Sequence, residues 1–63
     1  MSTSNVNRAD VLKLILKTIR KNIPDANGFQ KWSTAYTLAL SVWNDEATAT
    51  EVANELQTIA KWA

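Results

Sequence analysis

The chain has 63 residues, no Cys, no His and a formal net charge of +1. Disulfide bonds and catalysis by imidazole or thiol groups are therefore excluded, and the commonest zinc ligands are missing. A chain this short buries only about 60% of its unfolded surface, which leaves little room for an enclosed active site. We expect a single domain that is not an enzyme and holds no cofactor.

Residues 1–6 are polar and predict a flexible N-terminus, followed by one helical domain over residues 7–63. The N-terminus lacks the apolar segment of a secretory signal, and Cys is absent, so we expect a cytoplasmic location. The uncharged stretch, residues 32–43, falls short of the roughly 20 residues that cross a bilayer.

The first predicted helix spans residues 7–22. Asn7 is a favourable N-cap, and Pro24 ends the helix because the residue before a proline disfavours helical angles. Apolar side chains at helical spacing cover more than half of the circumference; they are Val11, Leu12, Leu14, Ile15, Leu16, Ile19 and Ile23. Four cations lie opposite and are called the basic stripe: Lys13, Lys17, Arg20 and Lys21.

The second predicted helix spans residues 28–43, and Asn27 with Gln30 fits a capping box at its start. One face carries large apolar residues at helical spacing and is predicted to form core: Phe29, Trp32, Tyr36, Leu40 and Trp43. Ala35 and Ala39 flank this aromatic row and would let a neighbouring helix approach closely. The other face is uncharged and is called the hydroxyl face: Gln30, Ser33, Thr34, Thr37 and Ser41.

Residues 36–43 also alternate in a way that is typical of a strand. Nothing else in the chain alternates convincingly, so a strand here would have to pair between two copies. We favour the helix.

The third predicted helix spans residues 48–62. Thr48 and Glu51 match a capping box. An apolar stripe follows, formed by Val52, Leu56, Ile59 and Ala63, with Ala53 and Ala60 beside it. Trp62 falls off this stripe, and its burial stays open. The fold prediction is all-α, a small three-helix bundle that is either complete alone or completed by dimerisation.

The preferred function is a protein–protein interaction module, such as a regulator, inhibitor or adaptor, that forms a homodimer. Protein interface cores are depleted of charge, so the uncharged hydroxyl face is the candidate interface. Its other interpretation is a merely polar, hydrated face, and both stay open.

The alternative function is nucleic-acid binding, with the basic stripe contacting phosphates. Residues 1–31 carry six basic and two acidic residues, and residues 32–63 carry one basic and four acidic residues. The simpler interpretation of the stripe is a hydrated face opposed by the acidic third helix. Membrane binding is not expected, because the aromatic residues and the lysines lie on different helices.

Overall fold

The computed structural model describes residues 7–62, which form α1 (Arg8–Asn22), α2 (Gly28–Trp43) and α3 (Glu46–Ala60). No strand occurs within these residues, so the all-α three-helix prediction is confirmed, as is the helical interpretation of residues 36–43. None of the three helices is long and apolar enough to cross a bilayer. The predicted flexible N-terminus, residues 1–6, and Ala63 lie outside the described residues.

The starts of α1 and α2 are fixed by asparagine side chains, as predicted. Oδ1 of Asn7 accepts hydrogen bonds from the N–H groups of Ala9, at 2.9 Å, and Asp10, at 3.4 Å. Oδ1 of Asn27 accepts one from the N–H of Gln30 at 2.8 Å. These bonds satisfy backbone donors that have no partner inside the helix, so each helix begins where its cap stands.

α3 begins and ends two residues earlier than the approximate bounds predicted for it, and its predicted cap was wrong. Asp45, not Thr48, is the N-cap: its Oδ2 accepts from the N–H of Thr48 at 3.0 Å and also from the Thr48 hydroxyl. Asp45 comes first along the chain and caps well, so Thr48 becomes the third residue of the helix. At the other end, Lys61 adopts the left-handed conformation with φ 57°, and α3 stops at Ala60.

Alanine side chains line the contact between α2 and α3, the most extensive helix pair in the fold. Ala35 and Ala39 on α2 and Ala49 and Ala53 on α3 are all 0% exposed. Side chains this small let the two helix backbones approach closely. The prediction that alanines permit a close helix approach is confirmed. Val52 and Leu56 complete the α3 contribution to the core.

The predicted aromatic core face of α2 was wrong in position. Trp32, Tyr36, Leu40 and Trp43 are only half-buried, and Phe29 is 80% exposed. Ala35 and Ala39 occupy the line of closest contact with α3, where an aromatic ring would hold the two helices apart. Trp32, Tyr36, Leu40 and Trp43 therefore pack around the margin of the core.

α1 packs against both of these helices and contributes Ile15 and Ile19 to the core. Its predicted apolar arc is only partly used, because Leu14, on the outer side, is 64% exposed. The arc of α3 also ends early: Ile59 is 60% exposed, which contradicts its predicted place in the core. Trp62 is half-buried against the core, which settles its position.

Candidate functional site

The hydroxyl face lies on the side of α2 opposite its buried alanines. Four of its five residues are exposed and Thr34 is half-buried. The Thr37 hydroxyl donates to the carbonyl of Ser33 at 3.0 Å, and the Ser41 hydroxyl donates to the carbonyl of Thr37 at 3.2 Å. Both donors are therefore satisfied by their own helix.

Apolar side chains border the hydroxyl face on both sides. Leu40 is half-buried and lies three residues after Thr37, and Leu38 is half-buried and lies four residues after Thr34. Residues three or four apart are neighbours on a helix surface. Val42, next to this edge, is exposed. The outer surface of α2 over residues 32–43 is thus uncharged and partly apolar, and the hydroxyls of Thr37 and Ser41 are hydrogen-bonded within the helix.

The basic stripe lies on the side of α1 opposite Ile15 and Ile19, and its four residues are all exposed. Leu14 lies at the margin of the stripe, because it is three residues before Lys17 and is therefore its neighbour on the helix surface. Among residues 7–62, no ion pair engages Lys13, Lys17, Arg20 or Lys21. Their positive charges therefore face solvent together.

Arg8, at the start of α1, makes the ion pairs that join α1 to α3. Its Nη2 lies 3.0 Å and its Nε lies 3.3 Å from Oε1 of Glu55, and its Nη1 lies 3.5 Å from Oε1 of Glu51. The acidic side of α3 is thus paired with Arg8, and the described ion pairs do not extend to the basic stripe. We had expected the acidic residues of α3 to lie opposite the basic stripe, but no ion pair among residues 7–62 joins the two.

An open groove of about 510 Å³ lies between α2 and α3, and sequence reasoning missed it. Trp32 forms one wall: its Nε1–H donates to Oδ1 of Asn54 at 2.8 Å, and its ring stacks on Tyr36 at a centroid distance of 5.5 Å. Gln57 lies three residues after Asn54, so the two amide side chains share one face of α3. This pair of amides was the sequence feature that could have indicated a polar side to the groove. The lining residues are Gly28, Phe29, Trp32, Asn54 and Gln57.

These five groove residues carry no acid, base or nucleophile, so the groove offers apolar contact and amide hydrogen bonds only. Over the described part of the chain, no three Asp or Glu residues are grouped so that they could hold a metal ion. The pKa of Asp45 is lowered by the hydrogen bonds from the Thr48 hydroxyl and then the Thr48 N–H, which favour the carboxylate. Asp45 serves α3 as its N-cap.

Comparison with known proteins found no matching family model, no matching curated protein and no matching solved structure.

Proposed function

We propose that this protein is a small non-catalytic module that binds protein, and that a second copy of the chain is its first partner. The small size of the core carries the proposal. Within residues 7–62, eight apolar residues are buried, but four of them are alanines, so few large side chains are removed from water. The four larger buried side chains are Ile15, Ile19, Val52 and Leu56.

In the part of the chain that the structure describes, ten further apolar residues are only half-buried around this core. Covering such surface contributes about 25 cal/mol per Å², so association would add stability that the isolated chain lacks. Small domains without disulfides or metals commonly gain stability in this way. The described fold therefore favours a chain that works in contact with another protein surface.

The hydroxyl face of α2 suits this contact best. Surface helices normally carry charged residues, and protein interfaces are depleted of Lys and Glu. Because the hydroxyls of Thr37 and Ser41 already donate within α2, excluding water leaves neither donor unpaired. In a two-fold dimer the same face of both copies meets across the axis, and an uncharged face can do so without repulsion between like charges.

Sedimentation velocity over a range of protein concentrations, at low and at high salt, tests the proposal. We expect a concentration-dependent dimer whose affinity is insensitive to salt, because the hydroxyl face has no charge. The variant Thr37→Lys should weaken the dimer at least tenfold, since it places a charge in the centre of the interface.

Thr58→Lys on α3 is the matched control. Thr58 is exposed, and its hydroxyl donates to the carbonyl of Asn54 at 3.1 Å, which repeats the local geometry of Thr37. Both variants lose one hydroxyl and gain one charge, but only Thr37 lies on the hydroxyl face. A chain that stays monomeric up to about 1 mM, the limit of weak affinity, and retains no protein from a lysate would overturn the proposal. Equal effects of the two variants would exclude the hydroxyl face as the interface.

A further inference from the structure

We infer that the basic stripe of α1 is a contact surface for the sugar–phosphate backbone of double-stranded DNA. The inference goes beyond protein binding and does not depend on it, because the stripe and the hydroxyl face lie on different helices.

The stripe is arranged as one line of charge on an exposed helix. Lys13, Lys17 and Lys21 follow one another at four-residue intervals, which corresponds to about 6 Å of helix rise per step. Arg20 lies beside Lys21 and Lys17. All four residues are exposed, and none takes part in an ion pair within residues 7–62.

The α3 carboxylates of Glu51 and Glu55 are both engaged by Arg8, and Asp10, which lies on the same side of α1 as the stripe, forms no ion pair with it among residues 7–62. Glu55 accepts two hydrogen bonds from Arg8, and Glu51 pairs with Arg8 as well. The chain has a formal net charge of only +1, yet this arrangement leaves the outer face of α1 positive. A polyanion approaching that face would meet four cations that need not first exchange an ion-pair partner.

The composition of the stripe favours DNA over an acidic protein. Three of its four cations are lysines, which are depleted at protein interfaces but contact phosphates as point charges. α1 has no aromatic residue, so it cannot stack on unpaired bases, which favours a duplex over a single strand. The wide major groove of B-DNA lets an α-helix lie between its two rows of phosphates, whereas the deep, narrow major groove of double-stranded RNA does not admit a helix.

A membrane surface fits less well. A helix that lies in a lipid interface buries an apolar face among the acyl chains. On α1 that face includes Ile15 and Ile19, which are buried in the protein core, and Leu14 is its one large exposed apolar residue among those described. Binding lipid in this way would require α1 to leave the fold.

A salt titration of binding to a short labelled DNA duplex of mixed sequence, followed by fluorescence anisotropy, tests the inference. Four phosphate contacts per chain predict that log K falls with log salt with a slope of about −3.6, or −0.9 per contact. Lys17→Gln should reduce the magnitude of the slope by about 0.9. Lys61→Gln removes the same charge from an exposed residue at the end of α3 and should leave the slope unchanged.

Circular dichroism of each variant confirms that the helices are intact before binding is compared. Reversing two charges, with Lys17→Glu and Arg20→Glu together, should abolish binding. The inference is overturned by the absence of DNA binding at low salt, or by equal slopes for the wild type and Lys17→Gln. It is also overturned if vesicles containing anionic phospholipid bind the wild type more tightly than the duplex does.

Discussion

The indole of Trp32 and the amide of Asn54 are joined by a 2.8 Å hydrogen bond that connects α2 to α3. Trp32 is only half-buried, yet its N–H has a partner on the neighbouring helix, as is usual for a tryptophan that is partly removed from water. This bond and the stacking on Tyr36 hold the indole at the wall of the groove.

Trp32→Phe should lower the free energy of unfolding by about 0.5–1.5 kcal/mol, because the ring is largely retained while the hydrogen-bond donor is lost. Urea unfolding with an unchanged m value would measure the loss. Trp43→Phe is the matched control, since no hydrogen bond from the Trp43 indole occurs within residues 7–62. A double-mutant cycle with Asn54→Ala isolates the pair, and a coupling energy near zero would contradict the role given to this bond.

Ala39→Leu should destabilise the protein by about 1–3 kcal/mol, because Ala39 lies fully buried where α2 meets α3 and a larger side chain would push the helices apart. Thermal unfolding monitored by circular dichroism would report the loss. Ala47→Leu makes the same change at an exposed position of α3 and should stay within about 0.5 kcal/mol. If both substitutions had the same effect, the close α2–α3 packing would be wrong.

Two adjacent residues of α1 should respond very differently to truncation. Ile15→Ala should cost about 2–5 kcal/mol, since Ile15 is almost completely buried. Leu14→Ala should change stability by less than about 0.5 kcal/mol, since that side chain is mostly in solvent. Chemical denaturation of both variants checks the orientation of α1. A large loss for Leu14→Ala would show that α1 is rotated or that Leu14 is covered by a partner.

The N-cap Asp45 should make stability depend on pH in acid. Because hydrogen bonds from Thr48 lower the pKa of Asp45 in the folded chain, its contribution is present above the unfolded pKa of about 4 and is lost as pH falls through the folded value. The midpoint of thermal unfolding, measured between neutral pH and strong acid, should therefore fall more for the wild type than for Asp45→Asn. The asparagine still caps the helix but does not titrate. Parallel curves for the two proteins would rule out this contribution.

Three helix boundaries agree with the predicted local signals. α1 begins after Asn7 and ends before Pro24, and α2 begins after Asn27. At α3 the capping-box pattern of Thr48 and Glu51 led to Thr48 as the predicted cap, although Asp45, three residues earlier, is also a good cap residue. The hydrogen bonds show that they cooperate, with Thr48 donating to Asp45.

The choice between core and edge was less predictable, because it depends on the distance between two helices. Helical periodicity correctly placed the hydroxyl face and the basic stripe away from the core. The same periodicity placed Ala35 and Trp32 on one side of α2. Because Trp32 is the larger and more apolar side chain, it was ranked above Ala35 as a core residue. Close approach of α2 to α3 reversed that order. The pairing of Trp32 with Asn54 joins residues distant in sequence, so no local pattern indicates it. The functions of the two outer faces stay predictions.

The aromatic residues that fluoresce are unevenly distributed among the three helices. α1 contains no aromatic residue, whereas Trp32, Tyr36 and Trp43 all belong to α2 and Trp62 follows α3. Intrinsic fluorescence therefore reports chiefly on the α2–α3 pair, while far-ultraviolet circular dichroism reports on all three helices. Because α1 packs more sparsely than the other two helices, its detachment would lower the helical signal before the emission spectrum shifts. Coincident transitions from the two probes would instead identify the three helices as one cooperative unit.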